Sequence, residues 1–446
     1  MLLSDAIFNA NDIRGVITGD DPQWDLEGAR ALGAAFARIT GCDEFVLGHD
    51  MRLYGEELAD AFAEGARMEG ADVVRLGLTS TDQLWFASGF THLPGVQITA
   101  SHNPSRYNGI KFCLEDAKPV PTDFMTRLRD LAPTIDLDRE PVGGIRHLDT
   151  LQPYADKLNE LVPVAGQRRL RVVVDAGNGM AGHTVDAVLG RRDLEIIGLF
   201  LELDGTFPNH PANPLEPENL VDAQRAVREH DADLALVFDG DADRCFIIDE
   251  QGEVVDPSVV TAMIATAELA REPGATIVVN TITSHCVDEA VGDRGRVVRS
   301  RVGHTYVKTV MAEENAVFGG EHSAHYYFRD FLYADTGMLA ALHVLEQVRA
   351  GGPLSALASR FDGHHRSGEL NFTVDDAERA QDAVARAFAG RGTEERVDGL
   401  MVRGDDWWLS LRASNTEPLL RLNVEARDAS TMARVRDEVR ALLTEG

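Results

Sequence analysis

The sequence predicts an α/β protein, with three related α/β domains carrying mixed sheets and a smaller C-terminal α+β domain. Two observations carry this expectation. A buried strand, a Gly/Asn-rich turn and a helix recur three times about 100 residues apart, and the last 80 or so residues group short strands with separate amphipathic helices.

The first such unit is "FVLGHDMRLYGEELADAFAEGARMEGADVVRLG" (45–77). Its runs "FVLG" and "VVRLG" read as strands, and Leu58, Ala61, Phe62, Gly65 and Ala66 recur at helical spacing between them. "LRVVVDAGNGMAGHTVDAVL" (170–189) and "ATIVVNTITSHCVDEAV" (275–291) repeat the plan. Towards the C-terminus, "ELNFTV", "GLMVRG", "DWWLSLRAS" and "PLLRLNVEA" read as strands. "DDAERAQDAVARAFA" and "DASTMARVRDEVRALLTE" read as helices with aspartate near their N-termini. Joints at "PVGGIRHLD" (141–149), after "DEQG" (249–252) and at "FDGHHRSG" (361–368) give domains over 1–146, 147–252, 253–364 and 365–446.

Composition narrows the function. A formal net charge of −30 repels nucleic acid and anionic lipid, so neither is an expected partner. No apolar run approaches the roughly 20 residues of a membrane helix, and the start "MLLSDAIFNANDIRG" lacks the basic region of a signal peptide. Four scattered cysteines (Cys42, Cys113, Cys245, Cys286) with no CxxC pair fit a reducing cytoplasm. Lysine is scarce: Lys111, Lys118, Lys157 and Lys308 stand among arginines, which gives weight to a lysine in a candidate site.

"LALVFDGDADRCFII" (234–248) places Asp239, Asp241 and Asp243 at alternate positions between apolar runs. With Glu250 at position 12, they nearly complete the calcium loop D-x-[DN]-x-[DN]-G-x5-E. Position 6 needs glycine for its sharp turn, however, and holds Arg244; the flanks read as strands and not helices. A strand–loop–strand site with three carboxylates suits a hard divalent cation that keeps room for another oxygen, and Mg²⁺ fits better than Ca²⁺.

"GVQITASHNPSRYNGIKF" (95–112) follows a strand with Ser101, His102, Asn103 and Pro104, an Asn-Gly turn and Lys111. Residues adjacent in sequence seldom face one another and no G-x-S-x-G elbow is present, so a hydrolase triad is not expected. "ITASHNP" and "DGDADR" together resemble the α-D-phosphohexomutase family of phosphomannomutases and phosphoglucomutases. "GGEHSAHYYF" (319–328) is similar to that family's sugar-binding loop and "RASNTEP" (412–418) to its phosphate-binding loop. The resemblance spans essentially the whole chain, with the four motifs in the family's order.

The resemblance implies four domains around a central cleft and a mutase converting hexose 1-phosphate to hexose 6-phosphate, on mannose or glucose. Ser101 would carry the phosphoryl group, and Asp239, Asp241 and Asp243 would hold Mg²⁺ with a further oxygen from phosphorylated Ser101. A hexose 1,6-bisphosphate would be both intermediate and activator. Arg14 and Arg244 would bring positive charge to the phosphoryl group. Lys111 and His325 match positions near the reacting hydroxyl, and the sequence does not choose between them as general acid or base. Glu321 and Ser323 would read two ring hydroxyls, and His304 would lie near the ligand, with Lys308 a further candidate.

Arg412, Ser414, Asn415 and Thr416 would clamp the non-reacting phosphate, with Arg421 a second candidate. Asp50 and Arg52 in "HDMR" would support the site from behind. The chain departs from the family at Asn11, where tyrosine commonly precedes "DIRG". The expected partners are small sugar phosphates, with a monomeric or dimeric chain. Phosphoglucosamine mutase is the rival with the same chemistry, although His325 favours the hexose enzyme. A silent sugar-phosphate-binding protein and a metal-dependent phosphatase are the rivals from other classes.

Overall fold

The structure, a computed structural model, describes residues 1–413 and 419–444. The chain forms two compact units, Met1–Val255 with Ser323–Ser355, and Asp256–His322 with Ala356–Gly446.

The first unit opens with a six-stranded mixed sheet. Its order is Asp12–Val16, Tyr107–Cys113, Gly95–Ile98, Glu44–His49, Asp72–Leu78 and Ile145–His147. Glu44–His49 pairs in parallel with both Gly95–Ile98 and Asp72–Leu78, whereas Gly95–Ile98 and Asp12–Val16 pair antiparallel with Tyr107–Cys113. Helices Leu26–Thr40 and Gly55–Met68 seal this sheet with apolar side chains. Phe36, Phe45, Phe62, Phe112 and Phe124 meet there, with ring centroids 5.1 to 6.4 Å apart. Tilted and edge-on contacts of this kind add to the burial of each ring. Ser101 lies in the link between two antiparallel strands, at the end of the parallel core.

The second sheet runs Val254–Val255, Cys245–Asp249, Leu234–Phe238, Leu170–Asp175 and Leu194–Leu199. Leu234–Phe238 and Cys245–Asp249 are antiparallel, with Phe238 opposite Cys245, so residues 239–244 form the turn of a wholly buried hairpin. The same unit holds the hairpin Tyr326–Phe328/Ala334–Asp335 and the helix Gly337–Gly351, capped by Thr336 Oγ1, which accepts from Leu339 N at 3.1 Å.

In the second unit, Thr276–Asn280 lies between Arg296–Ser300 and Phe318–Gly320, all parallel. The C-terminal part is antiparallel. Leu419–Ala426 pairs with Trp407–Ala413, Leu370–Thr373 and His365–Arg366, and Leu400–Arg403 joins Trp407–Ala413 to Thr393–Glu395. Leu409, Leu411, Leu420 and Leu422 bury against Val384, Val435 and Val439 from helices Ala377–Ala387 and Ala429–Thr444, as expected of an α+β domain. Among the described residues no helix is long and apolar enough to cross a membrane.

Candidate active site

The two hairpin links of the first unit meet. Ser101 Oγ donates to Asp239 Oδ2 at 3.1 Å, although 138 positions separate them. The approach depends on Gly240, where a Cβ would stand 2.4 Å from Ser101 O. Ser101 is 2 % exposed and adopts a left-handed backbone (φ 52°), an unfavourable conformation for a residue with a side chain. That conformation turns Oγ back to within 3.2 Å of His102 Nδ1, so here the adjacent residues do face one another. This does not make a hydrolase pair. Arg244 Nη2 points its N–H at the same His102 nitrogen, and burial and then that guanidinium hold the imidazole well below its ordinary range.

Asp239, Asp241 and Asp243 are buried, with carboxylate oxygens within 4.8 Å of one another. Lys111 Nζ bridges Asp241 Oδ2 at 2.6 Å and Asp243 Oδ2 at 2.5 Å, and Arg244 Nε donates to Asp239 Oδ2 at 2.9 Å. Burial pushes Asp239 up to about 8, with its two like-charged neighbours adding to the effect against Arg244. Burial alone would raise Asp241, but Lys111 and the hydroxyl of Thr81 outweigh it and hold that carboxyl below its usual range. Burial would lower Lys111, but Asp241 and Asp243 prevail and keep the ammonium protonated. Arg14 Nε donates to Asp12 Oδ2 (2.7 Å) and Nη1 to Asn103 Oδ1 (2.7 Å), and its charge faces Asp241 and Asp243.

His325 joins the cluster, its Nε2 3.8 Å from Asp243 Oδ1 and its Nδ1 2.8 Å from Ser323 Oγ. Asp335 brings a further buried carboxylate within 4.8 Å of Asp243 and His325. Asp12, Asp239, Asp241, Asp243 and Asp335 stand with Arg14, Lys111 and Arg244, so carboxyl groups outnumber these cations. Asp241 Oδ1 and Asp243 Oδ1 are buried with no hydrogen-bond partner. Hard oxygen donors, like charges close enough to help push Asp239 up, and two unsatisfied oxygens fit a divalent cation.

The second unit holds the other predicted residues. Glu321 is buried, and its Oε1 accepts from Asn280 Nδ2 at 2.9 Å and Gly303 N at 3.1 Å. His304 begins helix His304–Glu313, which also carries buried Lys308. Arg412 and Arg421 are opposite one another across antiparallel strands, and Glu369 lies between them, 3.6 Å from Arg412 Nη2 and 3.3 Å from Arg421 Nη1. Ser414, Asn415 and Thr416 lie outside the described residues.

Comparison with known proteins supplies the family. Models of phosphoglucomutase/phosphomannomutase α/β/α domains I, II and III match residues 5–139, 152–252 and 256–363, and the model of the C-terminal domain matches 369–442. The chain belongs to the phosphoglucomutase/phosphomannomutase family. It is 39% identical to a protein named phosphohexose mutases from Xanthomonas campestris pv. campestris and 37% identical to a phosphomannomutase from Escherichia coli, in each case over 98% of both chains. The crystal structure of a phosphoglucomutase/phosphomannomutase family protein from Burkholderia thailandensis superposes with a TM-score of 0.89 at 31% identity, covering 100% of this chain and 98% of the other.

This member of the family is thus a hexose-phosphate mutase, an enzyme that transfers phosphate intramolecularly. It has an acidic triad able to hold a metal ion. Three positions in the candidate site escaped the sequence reading. Thr81 donates through Oγ1 to Asp241 Oδ2 (2.5 Å) and through its backbone N to Asp241 O (3.0 Å); Asp335 joins His325; Asn103 anchors Arg14. Asn103 lies inside a motif already singled out. Thr81 and Asp335 carry no local pattern that marks them.

Proposed function

We propose that Ser101 is the phosphoryl carrier of this mutase and that Asp239, Asp241 and Asp243 hold Mg²⁺ beside it. The observation that carries this reading is the 3.1 Å hydrogen bond from Ser101 Oγ to Asp239, inside a cluster of three buried carboxylates. Bound Mg²⁺ would offset the charge of the transferring phosphoryl group.

The residues of the chain divide the remaining work. Phosphorylated Ser101 gives its phosphoryl group to O6 of a hexose 1-phosphate, and the sugar hydroxyl loses its proton as the O–P bond forms. The bisphosphate then returns its 1-phosphoryl group to Ser101 Oγ, leaving hexose 6-phosphate. Hexose 1,6-bisphosphate added from outside primes the same serine. Arg14 and Arg244 place fixed positive charge at the phosphoryl oxygens. Lys111, held protonated by Asp241 and Asp243, supplies fixed positive charge at the phosphoryl group, and His325 is the proton acceptor; Ser323 at its Nδ1 fixes the ring. Glu321, Ser323 and His304 read the sugar, and Arg412, with Ser414, Asn415 and Thr416, grips the phosphate that is not reacting. The substrates are mannose and glucose phosphates. The enzyme works in the cytoplasm as a monomer or dimer, in keeping with four free cysteines and a strongly acidic surface.

Intact-protein mass tests the carrier. Protein incubated with glucose 1,6-bisphosphate and Mg²⁺ gains one phosphoryl group, and Ser101→Ala gains none. Coupled assays on mannose, glucose and glucosamine 1-phosphates rank the sugars, and a clear preference for the last overturns the hexose assignment.

A further inference from the structure

We infer that Arg52 is a positioning residue for phosphoryl transfer: its guanidinium fixes the backbone of the loop that carries Ser101, and Phe207 holds that guanidinium in place. The inference rests on Ser101 being the phosphoryl carrier.

Arg52 is 3 % exposed, and its two terminal nitrogens serve four carbonyls of one short loop. Nη2 donates to Ser101 O (2.6 Å) and Asn103 O (2.5 Å), and Nη1 to Pro104 O (3.0 Å) and Tyr107 O (3.1 Å). A planar, five-donor group can satisfy four converging oxygens, whereas an ammonium on a flexible stem cannot. The loop needs such a tie because Ser101 sits in the left-handed region (φ 52°), a conformation that persists only where its surroundings over-determine it. Asp50 supports the clamp from behind, accepting from Arg52 N at 2.9 Å and lying 3.5 Å from Nε.

The other face of the guanidinium is covered from the second sheet's side. The Phe207 ring centroid lies 5.0 Å from Arg52 Cζ, a cation–π distance. The loop bearing Phe207 comes this close because residue 205 is glycine: a Cβ there would stand 2.7 Å from both Arg52 Cα and Met51 O. Its far end is tied down by His210, whose Nε2 is 3.2 Å from Asp175 Oδ2, and by Asn209 Nδ2, which donates to Asn178 Oδ1 at 2.8 Å. The loop 205–210 therefore connects Asp175, at the end of the second sheet, to Arg52 and through it to the backbone of Ser101.

Arg52→Lys and Phe207→Leu test the clamp. Each keeps charge or apolar cover while removing the planar fork or the ring. Arg52→Lys is expected to lower kcat about 30- to 100-fold with KM for glucose 1-phosphate within about threefold, because misplacing the reacting atom costs rate more than binding. Its phosphorylated Ser101 should also hydrolyse faster: water attacks phosphorus, the serine O–P bond breaks, and free serine and inorganic phosphate result. If wild-type protein carries no phosphoryl group on Ser101, this inference and the carrier assignment fall together. If wild type does carry it, and folded Arg52→Lys matches wild type in kcat and phosphoserine lifetime, the clamp alone is overturned. A kcat loss that follows only the unfolded fraction, with unchanged phosphoserine lifetime, also overturns it. Should Arg52→Lys not fold, Phe207→Leu decides: a kcat about three- to tenfold lower at unchanged KM supports the clamp, and wild-type kcat refutes it.

Discussion

Lys111 Nζ lies 2.6 Å from Asp241 Oδ2, where a positive charge must stand if buried carboxylates are to share one turn. The ammonium also bonds Asp243, so one lysine neutralises one side of the triad while Arg244 neutralises the other through Asp239. Asp241 Oδ1 and Asp243 Oδ1 still have no hydrogen-bond partner. A divalent cation at this triad would meet Lys111 at the same carboxylates, and that competition gives two tests.

Added Mg²⁺ should raise the melting temperature of the wild-type protein, because a ligand that binds only the folded state stabilises it by about 2.7 kcal/mol at a hundredfold excess over Kd. Asp243→Asn keeps the shape and removes one charge and one unsatisfied oxygen. In thermal melts without metal it should be no less stable than wild type, since like-charge repulsion falls. With Mg²⁺ it should lose most of the rise. An equal Mg²⁺ shift in both proteins would place the cation elsewhere.

Lys111→Met should lower kcat by about 10² to 10³-fold, the usual range for losing one preorganised charged donor. Mg²⁺ affinity, read by isothermal titration, should rise or stay level, because the variant no longer fills part of the cation site. Weaker binding in the variant would mean that Lys111 organises the carboxylates instead of competing for them.

Much of this was legible in the chain. The strand–turn–helix repeats, the strand–loop–strand setting of the aspartates and the two C-terminal helices follow from periodicity and punctuation, and the structure reproduces them. The helices Thr81–Thr91, Pro257–Arg271 and Gly337–Gly351 were not read, since each is buried on most of its circumference and shows no apolar stripe against a polar face. The same limit hid Thr81 and Asp335. Thr81 meets Asp241 from 160 positions away, a pairing that only topology creates. Ser101 and His102 show the converse failure: a positive φ brings together neighbours that an extended or helical backbone would separate.

Asp82 gives a pH-dependent prediction. Its carboxyl is buried, and burial pushes it up to about 6 against three donors: Ser80 Oγ (2.5 Å), Tyr154 OH (2.6 Å) and Thr336 Oγ1 (2.7 Å). The folded protein therefore holds a proton that the unfolded chain, with an ordinary aspartate, has already released. Its contribution is complete below about pH 4 and is lost as pH rises through 6. Compared with Asp82→Asn, wild-type stability to urea should fall by roughly 2–3 kcal/mol between pH 4 and pH 7. A difference that is flat across that range, or grows with pH, would show that the three hydroxyls outweigh burial and keep Asp82 ionised.

Glu321 supplies the last prediction, on the sugar side. Its Oε1 is held by Asn280 Nδ2 and Gly303 N, which fixes the carboxylate before any ligand arrives. A preset acceptor loses little side-chain entropy on binding, so its hydrogen bonds to ring hydroxyls should count nearly in full. Glu321→Gln keeps the size and removes the charge. Hydrogen bonds to a charged group are worth about 1.5–3 kcal/mol, so kcat/KM should fall about 10- to 100-fold. If Glu321 reads the hydroxyls on C3 and C4, as the family resemblance implies, the fall should be equal for glucose 1-phosphate and mannose 1-phosphate, which differ only at C2. Parallel steady-state assays on both sugars measure this. A loss confined to one epimer would move Glu321 to the C2 side of the ring, and specificity would then reside in this residue.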